Sequence, residues 1–376
     1  MNICYDFDSG SIAVISTTDI DNIQVALRPD NNCTTRQWFH FRCQTKAGLP
    51  HTIRIVNAGD SSFANAWQRY QVMASYDREN WFRLPTTYNS GELVIRHTPI
   101  EDSISYAYFT PYDYARQQML VQASPQSDIC QLTSLITTAD GHSLDMLTIG
   151  KAAPHKQAIW LIARQHPGET MAQWFAEGLI HQLLTPSDEV SSLLEKAVFY
   201  IVPNMNPDGG VRGNHRTNSH GLNLNRQWDK PSKTRCPEVY SVQQMMQQTG
   251  VDLLLDIHGE EEIPYCFIMP ANGGELLAAQ AERFKRDFVS HNPDMQTEID
   301  YDSYKKKYKR CCGVSCKDKQ SMATQYVTGN FDCLAMVLEM PFIDNQNRPN
   351  ASTGWSASRS VQLGADVIKP IATFIG

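Results

Sequence analysis

Three apolar runs in this sequence each lead to a residue able to ligate a metal or move a proton. Ala158-Ile159-Trp160-Leu161-Ile162-Ala163 leads into His166-Pro167-Gly168-Glu169, Leu253-Leu254-Leu255-Asp256-Ile257 delivers His258, and Leu334-Ala335-Met336-Val337-Leu338 delivers Glu339. A Pro-Gly turn lets the His166 imidazole and the Glu169 carboxylate converge just ahead of a helix, and His258 adds a third donor; Asp256 is expected on the other side of its strand. The His-x-x-Glu spacing alone is weak: with 11 histidines and Glu at roughly one position in twenty, about half of such chains would show it by chance. What gives it weight is that ligands of open α/β sheets collect outside the carboxyl ends of the strands. Two histidines and one glutamate around an open fourth position suit catalytic zinc, and iron with two His and one carboxylate stays open on ligand type. Glu339, at the edge of an apolar strand, should be desolvated and its pKa raised towards that of a general base; the plainer reading is a salt-bridged strand end.

Between these residues lie polar loops: Asn204-Met205-Asn206-Pro207-Asp208-Gly209-Gly210, then His215-Arg216-Thr217, then Asn223-Leu224-Asn225-Arg226-Gln227-Trp228. Loops so dense in Arg and Asn suit carboxylate recognition, because a guanidinium grips a carboxylate bidentately and an amide adds a directed donor. His215 and His220 flank these motifs and read equally well as ordinary loop histidines. The basic run Lys305-Lys306-Lys307-Tyr308-Lys309-Arg310 is a local positive field that could attract acidic tails, or simply a solvated loop. Cys311-Cys312 with Cys316 lacks the paired spacing of a second metal site.

Such side chains need stiff elements behind them. From about residue 1 to 120 the chain shows short aromatic and β-branched runs, Trp38-Phe39-His40-Phe41, Thr52-Ile53-Arg54-Ile55-Val56, Trp81-Phe82-Arg83-Leu84 and Glu92-Leu93-Val94-Ile95, broken by turn residues. Their spacing predicts an antiparallel β-sandwich with no helical segment in it. After Pro111 the pattern becomes α/β: a helix from Tyr114 to Gln122, then strand-like runs, with Ala197-Val198-Phe199-Tyr200-Ile201-Val202 as a fourth, alternating with helical segments from Glu169 to Leu184 and Pro237 to Gln248. Near-continuous hydrophobicity predicts strands buried on both faces. The expected division is a sandwich over 1–120 and a catalytic domain over 121–376.

The 376 residues are enough for two domains. Hydrophobic residues at 41% and charged residues at 19% fit a folded chain rather than a disordered one. A formal charge of -7 gives no general attraction to nucleic acid or anionic membrane, so neither is an expected partner. No stretch approaches the ~20 apolar residues of a membrane span, and Met1 to Ile15 lacks the layout of a signal peptide. We expect a cytoplasmic protein whose 10 cysteines are mostly reduced thiols.

Taken in order, His166-Pro167-Gly168-Glu169, the Asn-Pro-Asp-Gly loop, Asn223-Leu224-Asn225-Arg226, Asp256-Ile257-His258-Gly259 and Leu338-Glu339 resemble the M14 zinc metallocarboxypeptidases over about residues 125 to 376. The N-terminal region, with Tyr106-Ala107-Tyr108-Phe109-Thr110-Pro111-Tyr112, resembles the extra domain of their cytosolic carboxypeptidase subfamily, in its bacterial form. The resemblance implies a mixed, largely parallel central sheet flanked by helices, and one zinc ion per chain on His166, Glu169 and His258. It implies Glu339 as general base and proton shuttle, Arg216 polarising the scissile carbonyl, and Asn225 with Arg226 gripping the free C-terminal carboxylate of a peptide or protein tail. An active-site tyrosine is also implied; Tyr326 is the nearest candidate upstream of Glu339. Many cytosolic relatives act on glutamate-rich tails through a basic pocket residue, yet no Arg or Lys stands between Ser321 and Glu339. Two other functions compete: a zinc-dependent amide hydrolase of small N-acyl amino acids, which normally lacks the N-terminal sandwich, and an inactive binder of acidic tails, which need not keep Glu339.

Overall fold

Along His51–Ile55, His51, Ile53 and Ile55 are buried while Thr52 and Arg54 are half-exposed, the period-two pattern of a strand with one face on a core. In the computed structural model, which describes residues 1–308 and 320–376, such strands form two five-stranded sheets. One contains β1 (Asn2–Cys4), β4 (His40–Gln44), β10 (Ser103–Ala107), β6 (Val72–Ser75) and β7 (Phe82–Leu84). The other contains β2 (Ala13–Ser16), β3 (Ile23–Ala26), β5 (His51–Ile55), β9 (Glu92–His97) and β8 (Thr86–Asn89). The pairing is antiparallel except that β3 runs parallel to β5, Ile23 beside Ile53. Two short 3₁₀ turns, Ala58–Asp60 and Ala64–Arg69, also depart from the expected all-strand region. Trp67 holds them together, its indole N–H donating to Ala58 O at 2.9 Å and Ser61 Oγ at 2.7 Å. Lys309, Arg310, Cys311, Cys312 and Cys316 lie outside the described residues.

The second half is built on a seven-stranded sheet. Its strands are β11 (Cys130–Thr137), β12 (Ser143–Ile149), β13 (Gln157–Ala163), β14 (Ala197–Val202), β15 (Leu253–Glu260), β16 (Phe267–Pro270) and β17 (Leu334–Pro341), in the order β11-β12-β14-β13-β15-β17-β16. The four central strands are parallel, and the outer ones antiparallel. Every residue of β14, β15 and β17 is buried, as expected where helices cover both faces. Those helices are α1 (Tyr114–Ala123), α2 (Thr170–Leu184), α3 (Asp188–Lys196), α4 (Pro207–Arg212), α5 (Pro237–Thr249), α6 (Gly274–His291), α7 (Tyr301–Tyr308), α8 (Ala323–Phe331), α9 (Ala357–Asp366) and α10 (Ile368–Ile375). Register decides where the chemistry meets: Ala163 pairs with Ile257, and His258 with Glu339. The carboxyl ends of β13, β15 and β17 therefore open onto one place.

The two halves share one apolar core. Tyr108, just beyond β10, stacks on Phe342 with ring centroids 4.6 Å apart. Thr110 O accepts from Thr170 Oγ1 at 2.7 Å, and Tyr112 Oη donates to Glu177 at 2.6 Å, so the connecting segment is fastened to α2, whose N-cap is Glu169. Arg83 of β7 reaches across to Phe342 O at 2.8 Å and Thr353 O at 3.1 Å.

Candidate metal centre and catalytic cleft

The turn after β13 starts with Arg164 at φ 58°, a left-handed conformation that costs energy for a residue with a side chain. Its buried guanidinium holds the turn, donating to Pro167 O at 2.8 Å, Tyr112 O at 2.8 Å and Gln173 Oε1 at 2.6 Å. Gly168 is required by contact, since a Cβ there would lie 2.4 Å from His215 Nδ1. This geometry delivers His166 and Glu169, 5% and 2% exposed, to the end of the sheet.

There His166 Nδ1 lies 2.7 Å from Glu169 Oε1, and His258 Nδ1 lies 2.8 Å from Glu169 Oε2. One ligand atom from each residue falls within 4.8 Å of the others, and no other such cluster occurs among the described residues. The far nitrogens are held from behind: His166 Nε2 is 3.0 Å from Asn223 Oδ1, and His258 Nε2 is 3.0 Å from Asp256 Oδ1. Second partners of this kind fix the ring and leave the other nitrogen for a metal. Asp256 was expected on the opposite face of its strand. It shares the face of His258, as residues two apart must, and Gln165 Nε2 secures both its oxygens at 2.9 and 2.8 Å.

Burial presses the His166 pKa down to about 4 against the pull of Glu169. Burial also opposes charge on His258, but Asp256 and Glu169 outweigh it and lift its pKa well above the ordinary value. Burial raises the Glu169 carboxyl, yet the two imidazoles overcome this and hold it far below the usual range. An anionic carboxylate between two inward-facing nitrogens is a donor set that fits a dication.

Glu339 is 6% exposed. Burial, joined by the Glu169 and Glu260 carboxylates, pushes its pKa well above the usual carboxyl range, opposed by His258 and by a hydrogen bond from Tyr301. Tyr301 Oη donates to Glu339 Oε1 at 2.8 Å, while Oε2 is buried with no hydrogen-bond partner. Tyr326, the tyrosine nearest in sequence, lies elsewhere: its ring packs on Trp228 and its hydroxyl accepts from Gln247 Nε2 at 3.4 Å. Among the described residues the tyrosine at the cleft is Tyr301. It sits 38 residues before Glu339, and no spacing pattern announces it.

The cleft encloses about 290 Å³ and is lined by the three metal-ligand candidates, Glu339, Tyr301, Arg216, Asn225 and Arg226. Asn225 and Arg226 stand on a 3₁₀ turn, Leu224–Arg226. Asn225 Nδ2 is 3.2 Å from His258 Nε2, and its Oδ1 accepts from Ala323 N at 2.9 Å, so its amide ties the turn to β15 and α8. Arg226 donates to Asn225 O at 2.7 Å. The other wall has no motif in the sequence: Glu260 at the end of β15, Glu261 just after it, and Thr35, Ser62 and Phe63 from loops of the N-terminal half.

With this geometry in place, the similarities of the chain are informative. Residues 3–109 match the cytosolic carboxypeptidase N-terminal domain, and residues 116–353 match zinc carboxypeptidase. A metallo-carboxypeptidase from Burkholderia cenocepacia has the same fold at 37% identity and a TM-score of 0.93, covering 100% of this chain and 98% of its own. A Pseudomonas aeruginosa metallo-carboxypeptidase in complex with (2-guanidinoethylmercapto)succinic acid is 40% identical with a TM-score of 0.91, over 99% and 98% of the two chains. Cytosolic carboxypeptidase 6 of Caenorhabditis elegans is 28% identical over 77% of this chain and 72% of its own.

Proposed function

This chain belongs to the zinc carboxypeptidase family, a hydrolase with one zinc ion per chain acting at C-termini, and from that premise we propose the role of each residue in the cleft. His166, Glu169 and His258 hold the zinc. The convergence of both Nδ1 atoms on the Glu169 carboxylate, in the cleft that also holds the unpartnered Glu339 Oε2, carries this reading. When bound, zinc supplies a Lewis acid that lowers the pKa of water and polarises a carbonyl.

The chain's own residues do the rest. Asn223 and Asp256 keep the imidazoles facing inward. Glu339 takes a proton from the attacking water on Oε2, with Oε1 steadied by Tyr301, and returns it to the leaving amine. Arg216 donates to the scissile carbonyl oxygen as negative charge develops there. Arg226, beside Asn225, binds the terminal carboxylate, which restricts cleavage to the chain end. Acidic tails are the substrate class we favour, because α7, whose first residue lines the cleft, continues into the exposed Lys305, Lys306 and Lys307. We divide the chain near residue 120, with α1 at the seam and Gln117 accepting from Asn204 Nδ2 at 2.7 Å on the catalytic side.

Metal analysis beside kinetics tests the core of this assignment. Glu339→Gln should keep its zinc and its KM while kcat falls ~10²–10⁴-fold, whereas His258→Ala should lose zinc with the fold intact. Full zinc content in His258→Ala, or near-normal kcat in Glu339→Gln, removes the corresponding role.

A further inference from the structure

Arg216 stands in a segment, residues 211–221, whose backbone is met at several points by loops of the N-terminal half. Ser9 N donates to Val211 O at 3.0 Å, Asn31 Nδ2 donates to Ser219 O at 2.6 Å, and Gly221 packs against the backbone of Asn31 and Asn32. At the centre is Asp30, 4% exposed. Its Oδ1 accepts from His215 N at 2.7 Å, and its Oδ2 accepts from Arg216 N at 2.8 Å, Thr217 N at 2.9 Å and Thr217 Oγ1 at 3.1 Å. Three consecutive amides aimed at one point form an anion-binding concavity, and here a carboxylate from another part of the chain fills it. Such bonds are charge-assisted and stronger than neutral ones. Losing them would leave buried amide donors unsatisfied, which the segment can relieve only by moving.

We propose that Asp30 is a positioning residue for Arg216, so that a loop of the N-terminal half completes the catalytic cleft by fixing where this guanidinium stands. The Arg216 guanidinium carbon lies 5.8 Å from the centre of the Phe63 ring, so a second loop of the N-terminal half guides its far end as well. His215, the residue before it, is pinned between Glu261 Oε1, 2.8 Å from its Nε2, and the rings of Phe63, Tyr108 and Phe342. With its neighbour clamped and three successive amides anchored, the Arg216 Cα has little freedom, and a donor aimed at a developing charge loses effect steeply with displacement. Asp30 itself is held by a turn, its N–H donating to Thr35 O at 2.7 Å, and Thr35 lines the cleft.

This inference rests on the role given to Arg216, and the test separates the two. Asp30→Ala and Asp30→Asn are made in the zinc-loaded full chain, alone and combined with Arg216→Ala, and kcat, KM, zinc content and thermal midpoint are measured on a free-acid peptide. Asp30→Ala should lower kcat roughly 30–100-fold with KM within a few-fold and zinc retained, Asp30→Asn by less, and neither should cost more than about 3-fold further when Arg216 is already alanine. Should Asp30→Ala fail to fold, the isosteric Asp30→Asn carries the same comparison. Near-normal kcat in Asp30→Asn and in whichever Asp30→Ala folds, or an equal loss with and without Arg216, overturns the positioning role while leaving Arg216 in place. Full activity of Arg216→Ala alone overturns both.

Discussion

Glu339 has two unlike oxygens, one bonded by Tyr301 and one bare, and that asymmetry is what a proton shuttle needs. The Tyr301 hydroxyl favours the anion, so it draws the Glu339 pKa down against burial. In Tyr301→Phe that restraint is gone and the pKa rises further. A general base works deprotonated, so the acidic limb of the pH profile of kcat/KM should move to higher pH, with kcat at neutral pH falling roughly tenfold; an unmoved limb would exclude the coupling. Arg226 poses a different question, because its guanidinium is the group we assign to the chain end. A C-terminally amidated peptide should be a poor substrate for the wild type, by roughly 1.5–3 kcal/mol for each charge-assisted bond lost. Arg226→Ala should slow free-acid peptides far more than amidated ones, so that the two converge. Equal rates on both peptides in the wild type would contradict the assignment.

At the scale of elements, the metal centre depends on how closely helices can approach beneath it. α2 follows directly on Glu169, its N-cap, and crosses α9 so tightly that a Cβ on Gly178 would fall 1.9 Å from Val361 O, and one on Gly364 would fall 1.9 Å from Phe175 O. Neither backbone carbonyl can turn aside as a side chain could. Gly178→Ala should therefore force the helices apart and destabilise the fold by about 1–3 kcal/mol or more. Because α2 carries Glu169 at its start, zinc affinity should fall with it. A thermal midpoint and zinc titration matching the wild type would mean that the crossing yields more easily than its geometry implies. The sheet contributes through register: with His258 beside Glu339 and Ile257 beside Ala163, a slip of β15 by one residue would turn His258 to the wrong face.

For the whole molecule, the continuous core means the N-terminal sheets and the catalytic half should not melt apart. Arg83 donates to Phe342 O and Thr353 O, and its burial lowers its pKa; Arg83→Ala would orphan both carbonyls and open a gap, costing about 2–4 kcal/mol. Calorimetry should show one transition in the wild type, shifted down as one in Arg83→Ala, and two resolved transitions would disprove this cooperativity. No helix among the described residues is long and apolar enough to cross a membrane. Much of this molecule could be read from the chain alone, because the signals are local. The helix expected from Glu169 to Leu184 runs Thr170–Leu184, that from Pro237 to Gln248 runs Pro237–Thr249, and the four apolar runs are the four central strands, since hydrophobic period and capping act over a few residues. The His166, Glu169 and His258 cluster was legible for the same reason, each residue lying on or beside the end of a recognisable strand. Tyr301 against Glu339, Asp256 behind His258 and the N-terminal wall of the cleft were not. Asp30 and Arg216 are 186 residues apart, and nothing in either stretch encodes the other. Only the packing of the N-terminal half on the 211–221 segment brings that carboxylate to those amides, because hydrogen bonds between distant segments follow from shape and burial rather than from sequence spacing.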